Sequence, residues 1–456
     1  MKRSLTYFAQ ACGGVLTGAD RSFAAVCTDT RKLQPGDLYL ALRGPRFDGN
    51  DFVAAAAAAG AVAAVVDREV SVPSLPLIRV ADGQAALTAA ALQWRAAFGG
   101  CVIGIAGSNG KTTTKEMTAA ILGQRAPCLA TRGNFNNHIG VPLTLLRLTG
   151  EEATAVIEIG ANRAGDVAEL LRLVQPQIGV ITNAGAEHLE GFGDLDGVAR
   201  AEGEMVAGLP ATGTAVLNAD DAYFSLWCGM TAAKVVSFAI EAAADYRAVD
   251  LHDVSTGGGF AQRFTLQTPH GEQSVQLQVG GRHNVLNALA AAAAACSAGA
   301  QLTDVAVGLQ QMQPVAGRLQ PRISRHGARL IDDSYNANPS SVRAGIDVIT
   351  QLGGPAWLVL GDMGELGEQA RDSHVQIGTY ARQHGVQRVY ATGPLSQFTV
   401  EAFGGGASWF PDVETMSRVV DAELTASVCL LVKGSRFNRL ERVVAALTGQ
   451  AQHTEH

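Results

Sequence analysis

Closely spaced glycines, two lysines and three threonines stand together in GIAGSNGKTTTKEM, residues 104–117. Gly107, Ser108, Asn109, Gly110, Lys111, Thr112 and Thr113 follow an apolar run, 101–106, and lead into a helical stretch. Glycines at a strand-to-helix turn let backbone N–H groups converge on an anion, and the helix start adds its positive end. Lys111 can reach terminal phosphates, and the Thr112 hydroxyl is placed for Mg2+. The spacing is not the common one, because G-x-x-x-x-G-K-[ST] requires a glycine where this chain has Ile105. The pattern predicts a nucleotide site of a shortened type and does not by itself name a reaction.

Other side chains could share that chemistry. Glu158 ends the apolar run AVIE. Mg2+ favours a few hard oxygen ligands with retained water, so Thr112 and Glu158 make a candidate metal site, unless Glu158 caps a neighbouring helix. His188 ends another strand-and-loop; a lone histidine serves equally for packing or hydrogen bonding. Asn284 and Asn287 open an alanine-rich helix, where amides can pair with a base edge or act as caps. Lys433, Ser435 and Arg436 follow VCLLV and suit a carboxylate, or else form a solvated basic turn. Asn134, Asn136 and Asn137 can meet a ligand or stabilise their own turn.

Elements that would carry these residues follow from the apolar runs. Up to about Phe98 there are strand-like runs at 37–44 and 61–67 and a helix over 82–98. From 101 onward, CVIGIAG, TAVIEIGA and IGVITNAGAEH are short buried-strand patterns ending in glycine and polar residues, with helical sequence between them. The stretch 254–281 alternates and predicts an antiparallel insertion. After PVAGRL, 314–319, four more runs begin at 328, 356, 386 and 427, each feeding a loop. Alternating strands and helices predict an α/β protein with mostly parallel sheets, whose ligands gather at the strands' carboxyl ends. The expected division is 1–98, 99–313 and 314–456, with a P-loop-type centre and a Rossmann-like final domain.

Composition narrows the function classes. A chain of 456 residues is too long for one core. Its formal charge of −7 argues against nucleic acid as a partner, and obliges any anionic substrate to be held by local cations and amides. The 7 cysteines form no C-x-x-C pair, which favours a reducing cytoplasm. The start, MKRSLTYFAQACGG, has too short and broken an apolar part for a secretion signal. The apolar stretches 52–66 and 285–300 fall short of a membrane span and predict closely packed alanine helices.

The loop G-[ST]-x-G-K-T-T resembles the Mur ligase family, ATP-dependent amide-forming enzymes of bacterial cell-wall peptide synthesis. Further matches occur in order: TRGNFNNHIGVPLTLL, EIGANRAGD, TNAGAEHLEGFG, LNADD, GRHNVLNALAA, GRL, DDSYNANPSS, GDMGELG and VKGSR. DDSYNANPSS and GDMGELG are most similar to members that join D-alanyl-D-alanine to UDP-N-acetylmuramoyl-tripeptide. The resemblance implies ATP and Mg2+ as cofactors, those two small molecules as substrates, and a monomer. It implies an acyl phosphate, formed on a peptide carboxylate and then attacked by an amine. It places His188 on a second metal, Asn284 and Asn287 at adenine, Arg318 on the γ-phosphate and Asp333 on the ribose. Tyr335, Asn336 and Asn338, with Lys433, Ser435 and Arg436, would meet the dipeptide, and Asn134, Asn136 and Asn137 the growing peptide. Thr28, Asp29, Thr30 and Arg31, with Arg43 and Gly44, would hold uracil and pyrophosphate.

Two positions depart from the family pattern. Glu202 in GVARAEGEM stands where a lysine, often carbamylated, is usual, and is expected to supply the missing anion near the second metal, against the plain reading of a solvated helix residue. Asn50 stands where histidine is common. Competing readings are a folylpolyglutamate- or cyanophycin-type ligase, a P-loop ATPase switch and a catalytically dead binding module.

Overall fold

Alanine and β-branched residues set the layers. The computed structural model describes residues 3–73, 75–256 and 259–449. Among these are three larger sheets, of five, nine and six strands, and a two-stranded ribbon.

In the first sheet, Val26–Cys27, Leu38–Leu40, Ala63–Val66 and Leu77–Arg79 run parallel, and Val15–Thr17 closes one edge antiparallel. The run at 37–44, expected as one strand, is split. Leu38–Leu40 joins the sheet, whereas Arg43–Gly44 pairs with Phe47–Asp48 in the ribbon. The Gly49 N–H donates to Leu42 O, and a Cβ on Gly49 would lie 2.6 Å from the Leu42 backbone, so the chain folds back at this point. Helix Gly83–Ala97 begins at Asp82, whose carboxylate accepts the Ala85 N–H at 2.7 Å. Its buried residues, Ala86, Leu87, Ala90, Ala91 and Trp94, recur with a helical period. The start of the chain supplies helix Leu5–Cys12, and Phe8 packs its ring 6.0 Å from that of Trp94.

The nine-stranded sheet carries parallel neighbours from Cys128–Ala130 through Thr154–Glu158, Cys101–Ala106, Ile178–Ile181 and Thr214–Asn218 to Lys234–Ala239. The segment expected as an antiparallel insertion extends this same sheet. Tyr246–Thr256 continues it in parallel, and Gly259–Thr268 and Gly271–Leu277 follow antiparallel; residues 257–258 of that segment lie outside the described residues. Phe264, Leu266, Val275 and Leu277 belong to one apolar cluster with helix Arg282–Ser297, which explains why the extension stays attached. In that helix Ala288 and Ala290 through Ala295 are buried, and short side chains let it approach helix Lys111–Leu122 closely.

The third sheet contains the four expected strands, Arg329–Asp333, Ala356–Gly361, Val386–Thr392 and Cys429–Lys433. Gln320–Ile323 adds an antiparallel edge and Ala407–Phe410 a parallel one. The tail 450–456 of the expected final domain lies outside the described residues. No helix among the described residues is long and apolar enough to cross a membrane.

Candidate active site

Register brings the candidate residues to one end of the central sheet. Glu158 pairs across the sheet with Ile105, and Ile181 with Ala106. The loop 107–110, the Glu158 carboxylate and the segment from Thr182 therefore emerge side by side. They open on a cavity of about 580 Å³, also lined by Lys111, Thr112, His188, Asn284, Asn287, Arg318 and Asp333.

Both loop glycines are required by space and conformation. Gly107 has φ +119°, and a Cβ there would lie 2.1 Å from Thr182 Oγ1; Gly110 has φ +84°, and its Cβ would lie 2.1 Å from Asn287 Oδ1. Three loop amides already have protein acceptors. Gly107 N–H donates to Glu202 Oε2 at 2.7 Å, Ser108 N–H to Asn183 O at 2.9 Å and Asn109 N–H to Asn183 Oδ1 at 3.1 Å. Gly110 caps helix Lys111–Leu122 without a side-chain acceptor, which leaves the first-turn amides for an anion. The cradle is thus the helix start, buttressed from behind by the loop.

Lys111 donates to Gly107 O, to Ser108 O at 3.2 Å and to Glu187 Oε1 at 3.1 Å. Burial opposes its charge, but Glu187, Glu202 and Glu158 outweigh burial and hold its pKa above that of a free lysine. Glu158 is 1% exposed. Its Oε1 accepts from Asn136 Nδ2 at 2.8 Å, while Oε2 is buried with no hydrogen-bond partner. An ionised oxygen left so would be costly, and a bound cation removes the cost. Glu158, the Thr112 hydroxyl and the His188 ring on this cavity form a donor set that fits Mg2+. Arg318 donates to Thr112 Oγ1 at 3.2 Å and lies 4.3 Å from the centre of the Tyr335 ring, so it reaches the loop from the turn before strand Gln320–Ile323.

Glu202 is placed differently from the other metal candidates. It is 3% exposed, bonded to the loop's first amide, and does not line the cavity. Burial pushes its pKa up to about 7, against the lowering pull of Lys111. Asn284 and Asn287 do line the cavity. Asn284 donates to Gly280 O at 2.7 Å, and Asn287 accepts from Thr114 Oγ1 at 3.3 Å, so neither is a helix cap.

Asp333 and Lys433 are cross-strand partners, and their side chains pair at 2.5 Å. Lys433 also donates to Asn336 O at 2.9 Å. Ser435 is buried away from the cavity, accepting the Gly364 N–H at 2.9 Å and donating to Ala337 O at 3.2 Å. Arg436 lies outside the cavity lining, 3.6 Å from Glu441. Asn338 caps helix Pro339–Gln351 through Ser341 N–H and donates to Asn109 Oδ1 at 2.8 Å. Tyr335 and Asn336 line the cavity beside it, as do Asn134 and Asn137; Asn137 also accepts the Gly140 N–H at 2.9 Å.

The first-sheet candidates form a separate group. Arg31 clamps Asp29, which lowers the Asp29 pKa, and Thr28 and Thr30 flank it. Arg43 meets Asp67 at 2.8 Å beside Gly44. Asn50 is buried here and donates to Asp48 at 2.6 Å and Asp67 at 2.8 Å, so it ties together the two carboxylates nearest Arg43.

Sequence reasoning missed Glu187, Asn183, His283 and Ser340. Each lies in a motif singled out above, but only the tertiary contacts show what it touches. Ser340 Oγ, for example, accepts from Asn109 Nδ2 at 3.1 Å across the cavity.

Three family models match this chain in order: "Mur ligase family, catalytic domain" at 22–96, "Mur ligase middle domain" at 105–295 and "Mur ligase, glutamate ligase domain" at 317–436. The chain is 43% identical over 448 residues to the UDP-N-acetylmuramoyl-tripeptide--D-alanyl-D-alanine ligase of Escherichia coli, covering 97% of this chain and 98% of that one. It belongs to the Mur ligase family. The Bacillus subtilis ligase of the same name is 34% identical over 461 residues, covering 98% of each chain. Among solved structures, MurF from Acinetobacter baumannii superposes with a TM-score of 0.89 at 33% identity, covering 99% of both chains. MurF from Thermotoga maritima, solved with ADP, gives 0.80 at 26% identity, covering 93% of this chain and 97% of that one. Folylpolyglutamate synthase of Mycobacterium tuberculosis, at 16% identity, 81% and 95% coverage and a TM-score of 0.65, shares the fold alone.

Proposed function

We propose that this Mur ligase joins D-alanyl-D-alanine to UDP-N-acetylmuramoyl-tripeptide, forming an amide bond with release of ADP and phosphate in peptidoglycan precursor synthesis. The carrying observation is the convergence, in one cavity, of Lys111, the unpartnered Glu158 oxygen and Arg318 from the turn that leads into the third sheet. Relatives matched along nearly the whole chain support the same reading.

ATP would set its phosphates against the amides of Gly110 to Thr113, with Ser108 and Asn109 shaping the turn behind them. Asn284 and Asn287 would line the adenine end, and Asp333, paired with Lys433, would accept from the ribose hydroxyls. Thr112 and Glu158 would hold one Mg2+ and His188 a second, with Glu202 behind the loop on the Gly107 amide. Bound there, Mg2+ would neutralise phosphate charge during transfer. Lys111 and Arg318 would stabilise the transferred phosphoryl group, Arg318 as a planar cation brought in by the third domain. A peptide carboxylate near Asn134, Asn136 and Asn137 would take that group. The amine of the dipeptide, guided by Tyr335, Asn336 and Asn338, would then displace phosphate; of the three residues expected at its carboxylate, Lys433 lines the cavity and Ser435 and Arg436 do not. Thr28 to Arg31, Arg43 and Gly44 would hold the uridine diphosphate. Closure of the third domain would exclude water that hydrolyses an acyl phosphate.

On this reading the domains run 1–98, 99–313 and 314–456, and the enzyme acts as a cytoplasmic monomer, in keeping with its 7 free cysteines. The test is an ATP-dependent coupling assay read by product mass. Phosphate should appear only when both uridine tripeptide and D-alanyl-D-alanine are present; steady release without them overturns the proposal in favour of an ATPase switch.

A further inference from the structure

GDMGELG, residues 361–367, carries no role in the mechanism above, yet it builds one of the contacts between the third domain and the centre. It leaves strand Ala356–Gly361 and is anchored at its base. Met363 N–H donates to His374 Nε2 at 3.1 Å, and Gly364 N–H to Ser435 Oγ at 2.9 Å. Glu365, at the crest, has φ 63°, a left-handed conformation that costs a non-glycine residue backbone energy. Its carboxylate crosses to the central domain, where Oε2 lies 2.7 Å from His188 Nδ1. His188 is itself left-handed, with φ 49°. Alongside, Gly367 packs so near Glu190 that a Cβ would sit 3.3 Å from Glu190 Cγ. Two strained residues from different domains thus meet through one hydrogen bond.

We infer that Glu365 is a positioning residue for His188, acting only when the third domain has closed on the central one. A carboxylate that accepts the Nδ1–H selects the tautomer whose Nε2 lone pair is open to a metal, and fixes the ring plane. The Glu365 side chain is 60% exposed, so the pair adds little as a surface ion pair; its worth lies in orientation. Domain closure and completion of the metal site become one event. The inference rests on the reading of His188 as a metal ligand.

The test uses the full chain with a nonhydrolysable ATP analogue and Mn2+ as the probe, titrated by electron paramagnetic resonance. Wild type should bind two Mn2+ ions. Glu365→Ala should weaken one of them by about 10-fold, the lower end of the range for loss of an outer partner, and leave the other unchanged. It should also lower kcat more than it raises the KM for the uridine tripeptide. Glu365→Gln keeps an acceptor oxygen for Nδ1–H and should stay within about threefold of wild type on the same ground. Equal Mn2+ affinities in wild type and Glu365→Ala, at matched melting temperature, overturn this inference while the metal reading of His188 stands. A wild type that takes up one Mn2+ and no second overturns that reading, and this inference with it.

Discussion

Between the first sheet and the central one, Leu87, Trp94 and Phe98 share a single apolar cluster with Val141, Val167 and Leu170. Arg95 reinforces the joint, donating to Val174 O at 2.6 Å and Gln175 O at 2.7 Å. Between the central sheet and the third, the contacts around the cavity are polar and isolated: Arg318 to Thr112, Asn338 and Ser340 with Asn109, and Glu365 with His188. Apolar burial is non-directional and strengthens with area, so the first joint is suited to hold one geometry. A few hydrogen bonds, each of modest net worth and readily exchanged with water, suit a joint that opens for ATP and closes for chemistry. On the proposed function, one neighbour would be a fixed platform for a long substrate and the other a moving cover.

The largest test of that contrast is Trp94→Ala. It should cost about 3–5 kcal/mol of stability, as large-to-small changes in buried aromatics do. Urea unfolding should show the loss, while kcat of the fraction still folded stays near wild type. An equal fall in kcat without loss of stability would show that the first joint also moves.

Glu158→Gln should reverse the pattern. Activity should fall by about 10²–10³-fold, the scale for removing one preorganised charge-stabilising group. Its melting temperature should hold or rise, because a buried oxygen without a partner loses its charge. A steady-state rate beside a thermal melt separates the two outcomes.

Ser340→Ala removes one bond of the moving joint. A typical hydrogen bond contributes about 0.5–1.5 kcal/mol, so the KM for ATP should rise about two- to tenfold. Calorimetric unfolding should be nearly unchanged.

The finest test is acid. His283 is half-buried on the cavity where the centre meets the third domain, and burial lowers its pKa to about 4, against the raising influence of Asp333. The folded, closed form therefore binds fewer protons than a form with His283 at its ordinary value of 6.5. The stability this contributes is complete above that value and is lost as pH falls towards 4. Small-angle scattering of wild type should show the third domain opening across this interval, and His283→Asn should flatten the response. An identical profile in the variant would assign the opening to other groups.

What could be read from the residues alone was local or carried by motif. The strand-to-helix loop at 107–112, the end-of-strand position of Glu158 and the four strands of the final sheet are set by short-range pattern, since glycine conformation and apolar periodicity act over a few residues. The split of 37–44 and the attachment of 254–281 to the central sheet were not legible, because each depends on a distant partner: Gly49 folding against Leu42, and helix Arg282–Ser297 offering an apolar face. The pairing of Lys433 with Asp333 was hidden for the same reason. Strands about 100 residues apart in the chain become neighbours only in the folded sheet. Sequence by itself determined the family and which side chains could do chemistry, because that information lies in residue type and spacing. Only the tertiary structure decided which of them share the cavity, that Glu202 backs the loop while Glu187 faces Lys111, and that Glu365 reaches His188, because charge and hydrogen bonding act through distance in space.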